Sequence, residues 1–161
     1  MKLNVLPWFS NGLQFTCTQC GNCCTGGPGY VWISIDEIGR VAKHFNLTHR
    51  KVISKYCRKI GNRYSLKELR NLRGEYDCIF LHEEKTPYKK GQVSHTRRTC
   101  TAYPVRPLQC RTWPFWDGNL ASPQAWKRAS EHCPGMDQGR KHFSREQIAA
   151  LRDAEDWPES T

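Results

Sequence analysis

Cys17-Thr-Gln-Cys20-Gly-Asn-Cys23-Cys24 places four thiols within eight residues. A Cys-x-x-Cys turn points both sulfurs to one side, and Gly21 leaves the backbone free to curl, so successive thiolates can surround one metal centre. The doublet Cys23-Cys24 works differently. Neighbouring side chains diverge, and closing both onto one ion would strain the chain between them. The pair is expected to serve two metals, or two irons of one cluster. The competing reading is a set of buried or disulfide-bonded cysteines.

A second dense stretch runs Cys100-Thr-Ala-Tyr103-Pro-Val-Arg106-Pro-Leu-Gln-Cys110-Arg-Thr-Trp113-Pro-Phe-Trp116. Its prolines at 104, 107 and 114 predict an extended path with turns rather than a regular helix. Such a path needs side-chain packing or metal bonds to hold it. Arg106 and Arg111 adjoin these thiols in sequence and are candidates to donate hydrogen bonds to metal-bound sulfur, the plainer reading being surface charge. Tyr103, Trp113, Phe115 and Trp116 would screen a centre from water, which is also what core aromatics do.

Cys78 lies in Glu75-Tyr-Asp-Cys78-Ile-Phe-Leu81, which reads as a strand, and Cys133 precedes Pro134-Gly135 with His132 beside it as an alternative donor. Cys57 falls within an apolar stripe and is expected to be a small core residue. Setting it aside leaves Cys17, Cys20, Cys23, Cys24, Cys78, Cys100, Cys110 and Cys133. Eight thiolates are two sets of four, and four complete a zinc site or a 4Fe-4S cluster. Cys17-x-x-Cys20-x-x-Cys23 with a remote Cys133-Pro134 is a partial match to the bacterial ferredoxin run. The spacing differs from the Cys-x-x-x-Cys-x-x-Cys of radical S-adenosylmethionine enzymes, whose chemistry is not expected. Iron-sulfur is favoured over zinc, because the fused pair and the ferredoxin-like spacing suit a multinuclear centre.

The elements that must position these thiols are short. Residues 1 to 15 form an irregular lead-in with Trp8, Phe9 and Phe15 free to pack. Gly26-Gly-Pro-Gly29 reads as a turn, and it lacks the Lys-Ser/Thr ending of a phosphate-binding loop. Tyr30-Val-Trp-Ile33 reads as a strand. Ser34-Ile-Asp-Glu37 is a capping box opening a helix through Ile38, Val41, Ala42 and Phe45. A second helix starts at Thr48 and carries Val52, Ile53, Tyr56, Cys57 and Ile60 on one face. Ser65-Leu-Lys-Glu68 is a further candidate capping box. His82 to Arg98 reads as a basic, solvated loop with a turn at Lys89-Lys-Gly91, whose Lys85, Lys89, Lys90, Arg97 and Arg98 could meet an acidic partner. Ser122-Pro123 starts a helix bearing Trp126 and Ala129, and Ser144-Arg-Glu-Gln147 caps a terminal one through Ile148 and Leu151.

Leu, Ile, Val and Phe make up under a fifth of this 161-residue chain, and its formal charge is +10. That combination alone leans towards disorder, so metal coordination and the aromatic residues are expected to compensate. Part of the basicity has a simple origin. Two four-thiolate centres on 2+ cores would lower the formal charge to about +6. The start carries one positive charge, a short apolar run broken by Pro7 and no small-residue cleavage site, and no stretch is long enough to span a bilayer. The expectation is a cytoplasmic chain with reduced thiols and no membrane association. The cations gather on no helix face and the aromatics do not alternate with basic residues, so a nucleic-acid partner is not expected.

With both dense stretches in view, the sequence resembles the YkgJ-type cysteine-cluster family, a zinc- or iron-chelating domain with a Cys-x-x-Cys-x-x-Cys-Cys signature. The resemblance spans roughly residues 15 to 140. It rests on Cys17 to Cys24, Asp77-Cys78-Ile-Phe-Leu81, Cys100-Thr-Ala-Tyr103 with Arg106-Pro107, Cys110-Arg111 and Trp113-Pro114, and Cys133-Pro134-Gly135. It implies a metal-binding function in a structural or electron-transfer role, with a protein redox or substrate partner. Members are labelled iron-sulfur oxidoreductases, and a related branch includes flagellin lysine N-methylases. Enzymes of those two types are therefore the alternative function. This chain carries no separate glycine-rich cofactor motif for methylase activity. His82, His95 and His132 are its candidate acid-base groups, and none lies in a recognisable catalytic arrangement. The expected fold is a small, loop-rich, metal-stabilised α+β single domain with short peripheral helices, the metal-binding part at residues 12–140 and a helix and tail at 141–161.

Overall fold

The computed structural model describes residues 6–85 and 96–154. In chain order the first elements are β1 (Leu13–Gln14), β2 (Trp32–Ile33), α1 (Ile35–Phe45), α2 (His49–Tyr56), β3 (Cys57–Ile60), β4 (Arg63–Leu66), β5 (Glu68–Arg70) and β6 (Tyr76–Cys78). There follow β7 (Leu81–Lys85), β8 (Thr96–Cys100), α3 (Leu108–Thr112), α4 (Asp117–Leu120), α5 (Pro123–Ser130), β9 (His142–Phe143) and α6 (Arg145–Asp153). The fold class is α+β, with short antiparallel strands in small sheets. The chain forms two compact bodies. Gln19–Arg111 is a contiguous body, and Met1–Thr18 with Thr112–Thr161 forms a split one. No helix among the described residues is long and apolar enough to cross a membrane.

The contiguous body starts its main helix where the capping box predicts. Glu37 N donates to Ser34 Oγ (3.2 Å) and Ser34 N donates to Glu37 Oε2 (2.9 Å), satisfying two amides that a helix start leaves open. Ile38, Val41 and Ala42 then fall on one buried face. Asn46, at φ +53, ends α1 in the left-handed conformation that a short polar side chain tolerates. Thr48 caps α2 by accepting from Lys51 N. Phe80 is the hub of the core, its ring 4.8 Å from Tyr56 and 5.6 Å from Phe45.

Beyond Tyr56 the structure departs from the periodicity. Cys57–Ile60 is strand β3 rather than a continuation of α2, and it pairs with β4 through a two-residue turn at Gly61-Asn62. Gly61 adopts φ +56, which glycine reaches without steric cost, so hairpin formation wins over the last turn of helix. β2 joins the other edge of β4 to give a three-stranded antiparallel sheet. Ser65-Leu-Lys-Glu68 caps no helix, because Ser65 is buried within β4 and the Glu68 carboxylate accepts from Gly29 N and Arg58. Arg63 to Glu75 is instead two strands and a tight turn.

The basic stretch from His82 to Arg98 is also more ordered than a loop. β7 and β8 pair antiparallel, with Leu81 opposite Cys100 and Lys85 opposite Thr96. Lys89, Lys90, Gly91 and His95 lie outside the described residues. Between Pro107 and Pro114 the chain forms the short helix α3, contrary to the extended path expected from the prolines. Pro107 precedes its first turn, where the carbonyl of Pro107 accepts from Cys110 N, so the ring interrupts no helical bond.

The split body has its own core of Phe9, Phe15, Phe115, Trp126, Met136 and Ile148. β1 pairs with β9, and Thr16 N donates to Gly135 O at 2.9 Å. Ser122 caps α5 and a Ser144–Gln147 capping box starts α6, both as their local spacing predicts. α5 carries Trp126 and Ala129 and stops at Ser130, before Pro134-Gly135. Trp126 Nε1 donates to Asp137 Oδ1 at 2.8 Å, which gives the buried indole its polar partner.

Candidate metal centre

Three sets of contacts draw thiols together within the contiguous body. Gly21, at φ +75, lets the cysteine loop press on the β7–β8 hairpin; a Cβ there would sit 2.9 Å from Arg98 Cβ and 3.0 Å from Leu81 Cδ1. Only glycine accepts both the backbone angle and the approach. The loop that follows is fastened to β6. Tyr76 N donates to Gly26 O (2.8 Å), Gly26 N donates to Tyr76 O (3.2 Å) and the Thr25 hydroxyl donates to Asp77. Asn71 Nδ2 donates to the same Asp77 oxygen at 3.0 Å. Cys23-Cys24 is thereby held beside Cys78 and the end of β8 that carries Cys100.

Cys110 arrives from α3, which two distant side chains fix. Glu37 Oε1 accepts from Leu108 N at 2.7 Å, while Gln109 bonds β2 on both sides, accepting from Trp32 N (2.8 Å) and donating to Tyr30 O (3.0 Å). With 108 and 109 clamped, Cys110 has one direction left to face. Its thiol is driven upward in pKa by burial, and next by the charges of Cys78, Cys23 and Cys100, with Arg106 opposing.

The same mutual influence runs through the other thiols. Cys23 and Cys24 lie Sγ to Sγ at 3.9 Å, and the hydrogen bond from Cys24 lowers Cys23 to about 7. Cys24, the donor, is pushed up by that bond and by burial, with smaller contributions from Cys78 and Cys100. Burial raises Cys78 to about 11, with Cys100 and Cys23 adding to the rise. Cys23, Cys24, Cys78, Cys100 and Cys110 thus share one electrostatic neighbourhood, drawn from four separate segments. They are not closed to bonding distance: among the described residues no three His, Cys, Asp or Glu side chains converge tightly enough for one ion to touch all of them. All nine cysteines are thiols rather than half-cystines, which removes the disulfide reading.

The remaining cysteines stand differently. Cys20 is half-buried in the contiguous body and Cys17 is exposed in the split body. Cys133 is buried in the split body, where Trp113 Nε1 donates to its sulfur at 3.4 Å. Cys57 is the core residue expected, its thiol raised to about 11 by burial. Arg111 turns towards Glu37, with 3.8 Å between them, and it is Arg106 whose charge reaches the thiols. Tyr103 lies under Arg106, whereas Phe115 belongs to the split body's core and Trp113 packs edge-on to Trp116.

Sequence reasoning missed Glu37, Gln109, Thr25 and Asp77 as the residues that aim the ligand candidates. Glu37 was visible only as half of a capping box. Its second bond, to a residue 71 positions away, leaves no local trace. The donor chemistry suits a thiophilic metal: five soft sulfurs, four of them on half-buried residues and Cys23 exposed, with the charge of a guanidinium acting on two of them.

The chain is 29% identical over 107 residues to the uncharacterised protein MJ0661 of Methanocaldococcus jannaschii, a match covering 66% of this chain and 48% of that one. The chain therefore spans about half the length of that curated relative. No solved structure matches it. Residues 16–134 match the CxxCxxCC family, described as "Putative zinc- or iron-chelating domain". With most of its length so matched, and with Cys23 and Cys24 of the signature lying near Cys78, Cys100 and Cys110, the chain belongs to the CxxCxxCC family of zinc- or iron-chelating, cysteine-cluster domains.

Proposed function

We propose that the chain binds an iron-sulfur cluster, of the 4Fe-4S class, through its cysteine thiolates, and that this centre stabilises the contiguous body and serves electron transfer. The observation that carries the reading is the shared neighbourhood of Cys23, Cys24, Cys78, Cys100 and Cys110. Four thiolates satisfy either a zinc ion or a 4Fe-4S cluster, and it is the adjacent pair, strained to close on one ion, that favours a site with more than one metal. Cys17, Cys20 and Cys133 complete the proposed set of eight on the strength of their spacing.

A bound cluster supplies one-electron chemistry. The protein's own part is to present the sulfurs, exclude water and balance charge. Thiols must lose their protons to ligate, so loading releases protons and is favoured by rising pH. The hydrogen bond from Cys24 lowers Cys23 to about 7, so this thiol would give up its proton to a metal more readily than an ordinary cysteine.

Anaerobic purification followed by iron, zinc and acid-labile sulfide analysis tests this. Iron and sulfide in near-equal amounts with broad visible absorbance are expected. Colourless protein holding zinc alone would replace the iron reading, and protein with neither metal would end the ligand proposal.

A further inference from the structure

Arg106 follows the 3-10 turn Tyr103–Val105 and lies over Tyr103, its guanidinium carbon 3.4 Å from the ring centroid. Its backbone carbonyl accepts from Arg111 Nε at 3.2 Å, which fixes the main chain at this point. The Nε–H of Arg106 itself is buried and has no hydrogen-bond partner among the described residues. A guanidinium N–H removed from water without an acceptor is costly, so its position calls for an acceptor that binds there.

Carboxylates do not fill that role. Glu37 is engaged by Leu108, Arg40 and Arg111, and Glu68 by Arg58 and Gly29. Arg58 also has a buried, unpartnered Nε, but its charge is answered by Glu68 at 3.0 Å. The thiols are the other candidates: Arg106 lies four residues before Cys110 in the chain, and its charge acts on both Cys23 and Cys110. A neutral thiol accepts hydrogen bonds weakly. A metal-bound thiolate accepts them well, and such bonds tune the centre.

We infer that Arg106, held over Tyr103, is a positioning residue of the thiolate centre: its Nε–H donates to a metal-bound sulfur and its charge offsets the anionic ligands. The inference rests on the thiolate reading above. Arg106 is not itself a ligand, and Tyr103 acts only as the platform that prevents the guanidinium from swinging out to water.

The test uses the full chain purified anaerobically with its native metal. Arg106→Gln, Arg106→Lys and Tyr103→Leu are compared with the unaltered protein in metal content, in the rate of metal loss to excess EDTA, and in the thiolate-to-metal absorption of bound iron or of cobalt(II) put in place of zinc. Arg106→Gln is expected to lose metal about 10- to 100-fold faster. Arg106→Lys keeps the charge and slows that loss, but leaves the absorption band shifted because no N–H remains at the Nε position. Tyr103→Leu falls between the wild type and Arg106→Gln. If Arg106→Gln does not fold by circular dichroism, Arg106→Lys decides by its band. Loaded variants with wild-type loss rates and unshifted bands would overturn the inference and leave the metal reading standing. An unaltered protein that holds no metal would overturn both.

Discussion

Glu37 Oε1 accepts the backbone N–H of Leu108 at 2.7 Å, joining the first turn of α1 to the start of the helix that carries Cys110. The same carboxylate accepts from Ser34 N and lies 3.3 Å from Arg40. Its side chain is only 8% exposed, so deleting it strands two amides away from water. Glu37→Ala should cost about 2–4 kcal/mol in urea unfolding, while Asp36→Ala on the exposed side of the same turn changes little. Metal content should fall in the first variant and hold in the second. Equal stability of the two would show that the Leu108 bond is incidental.

Cys23 owes its acidity first to the hydrogen bond from Cys24. In chelator-treated protein, the rate of Cys23 alkylation, followed by mass spectrometry, should rise with pH through a midpoint of about 7. Cys24→Ala should move that midpoint up towards the usual thiol value of 9.0. A midpoint that stays put would mean that Cys24 is not the donor.

The burial of Cys57 makes an alkaline prediction. Its thiol ionises near 9.0 when unfolded and at about 11 in the fold, so the folded state binds this proton more tightly. The resulting stability is fully present below pH 9.0 and is lost as pH rises through 11. Urea unfolding under reductant should show a loss on the order of 2 kcal/mol across that window. Cys57→Ala should flatten part of this slope, at the expense of a small cavity; an unchanged slope would assign the effect to other groups.

Gly135 is placed where no side chain fits. A Cβ there would lie 2.1 Å from the carbonyl oxygen of Thr16, whose amide donates to Gly135 O. Gly135→Ala should therefore separate these two segments and lower the thermal midpoint by several degrees, corresponding to about 1–3 kcal/mol. Gly118→Ala, with open space around its Cβ position, is the control and should be nearly silent.

Much of the local structure was legible because its determinants are three residues apart. The caps at Ser34, Thr48, Ser122 and Ser144 all form as their spacing predicts. Ser65 and Glu68 show the limit of that reasoning: the same pattern lies in strands, because Glu68 meets Arg58 and Gly29 instead of an amide of its own turn. Cys57 and Ile60 kept helical spacing past the true end of α2, and the Gly61-Asn62 turn signal was the cue that outweighed it. At the candidate centre the thiols could be counted from the sequence. Their grouping could not, since it depends on Gly21 against Leu81 and Arg98 and on Gly26 against Tyr76.

One further consequence belongs to biosynthesis. Gln19–Arg111 is an unbroken run, whereas the other body needs residues from both sides of it. Translation therefore adds all five interacting sulfurs to the chain before it adds Phe115, Trp126 or Ile148, and domains commonly fold as units in the order of their synthesis. The contiguous body accordingly has every one of its own residues in the growing chain while the second core still lacks those that close it.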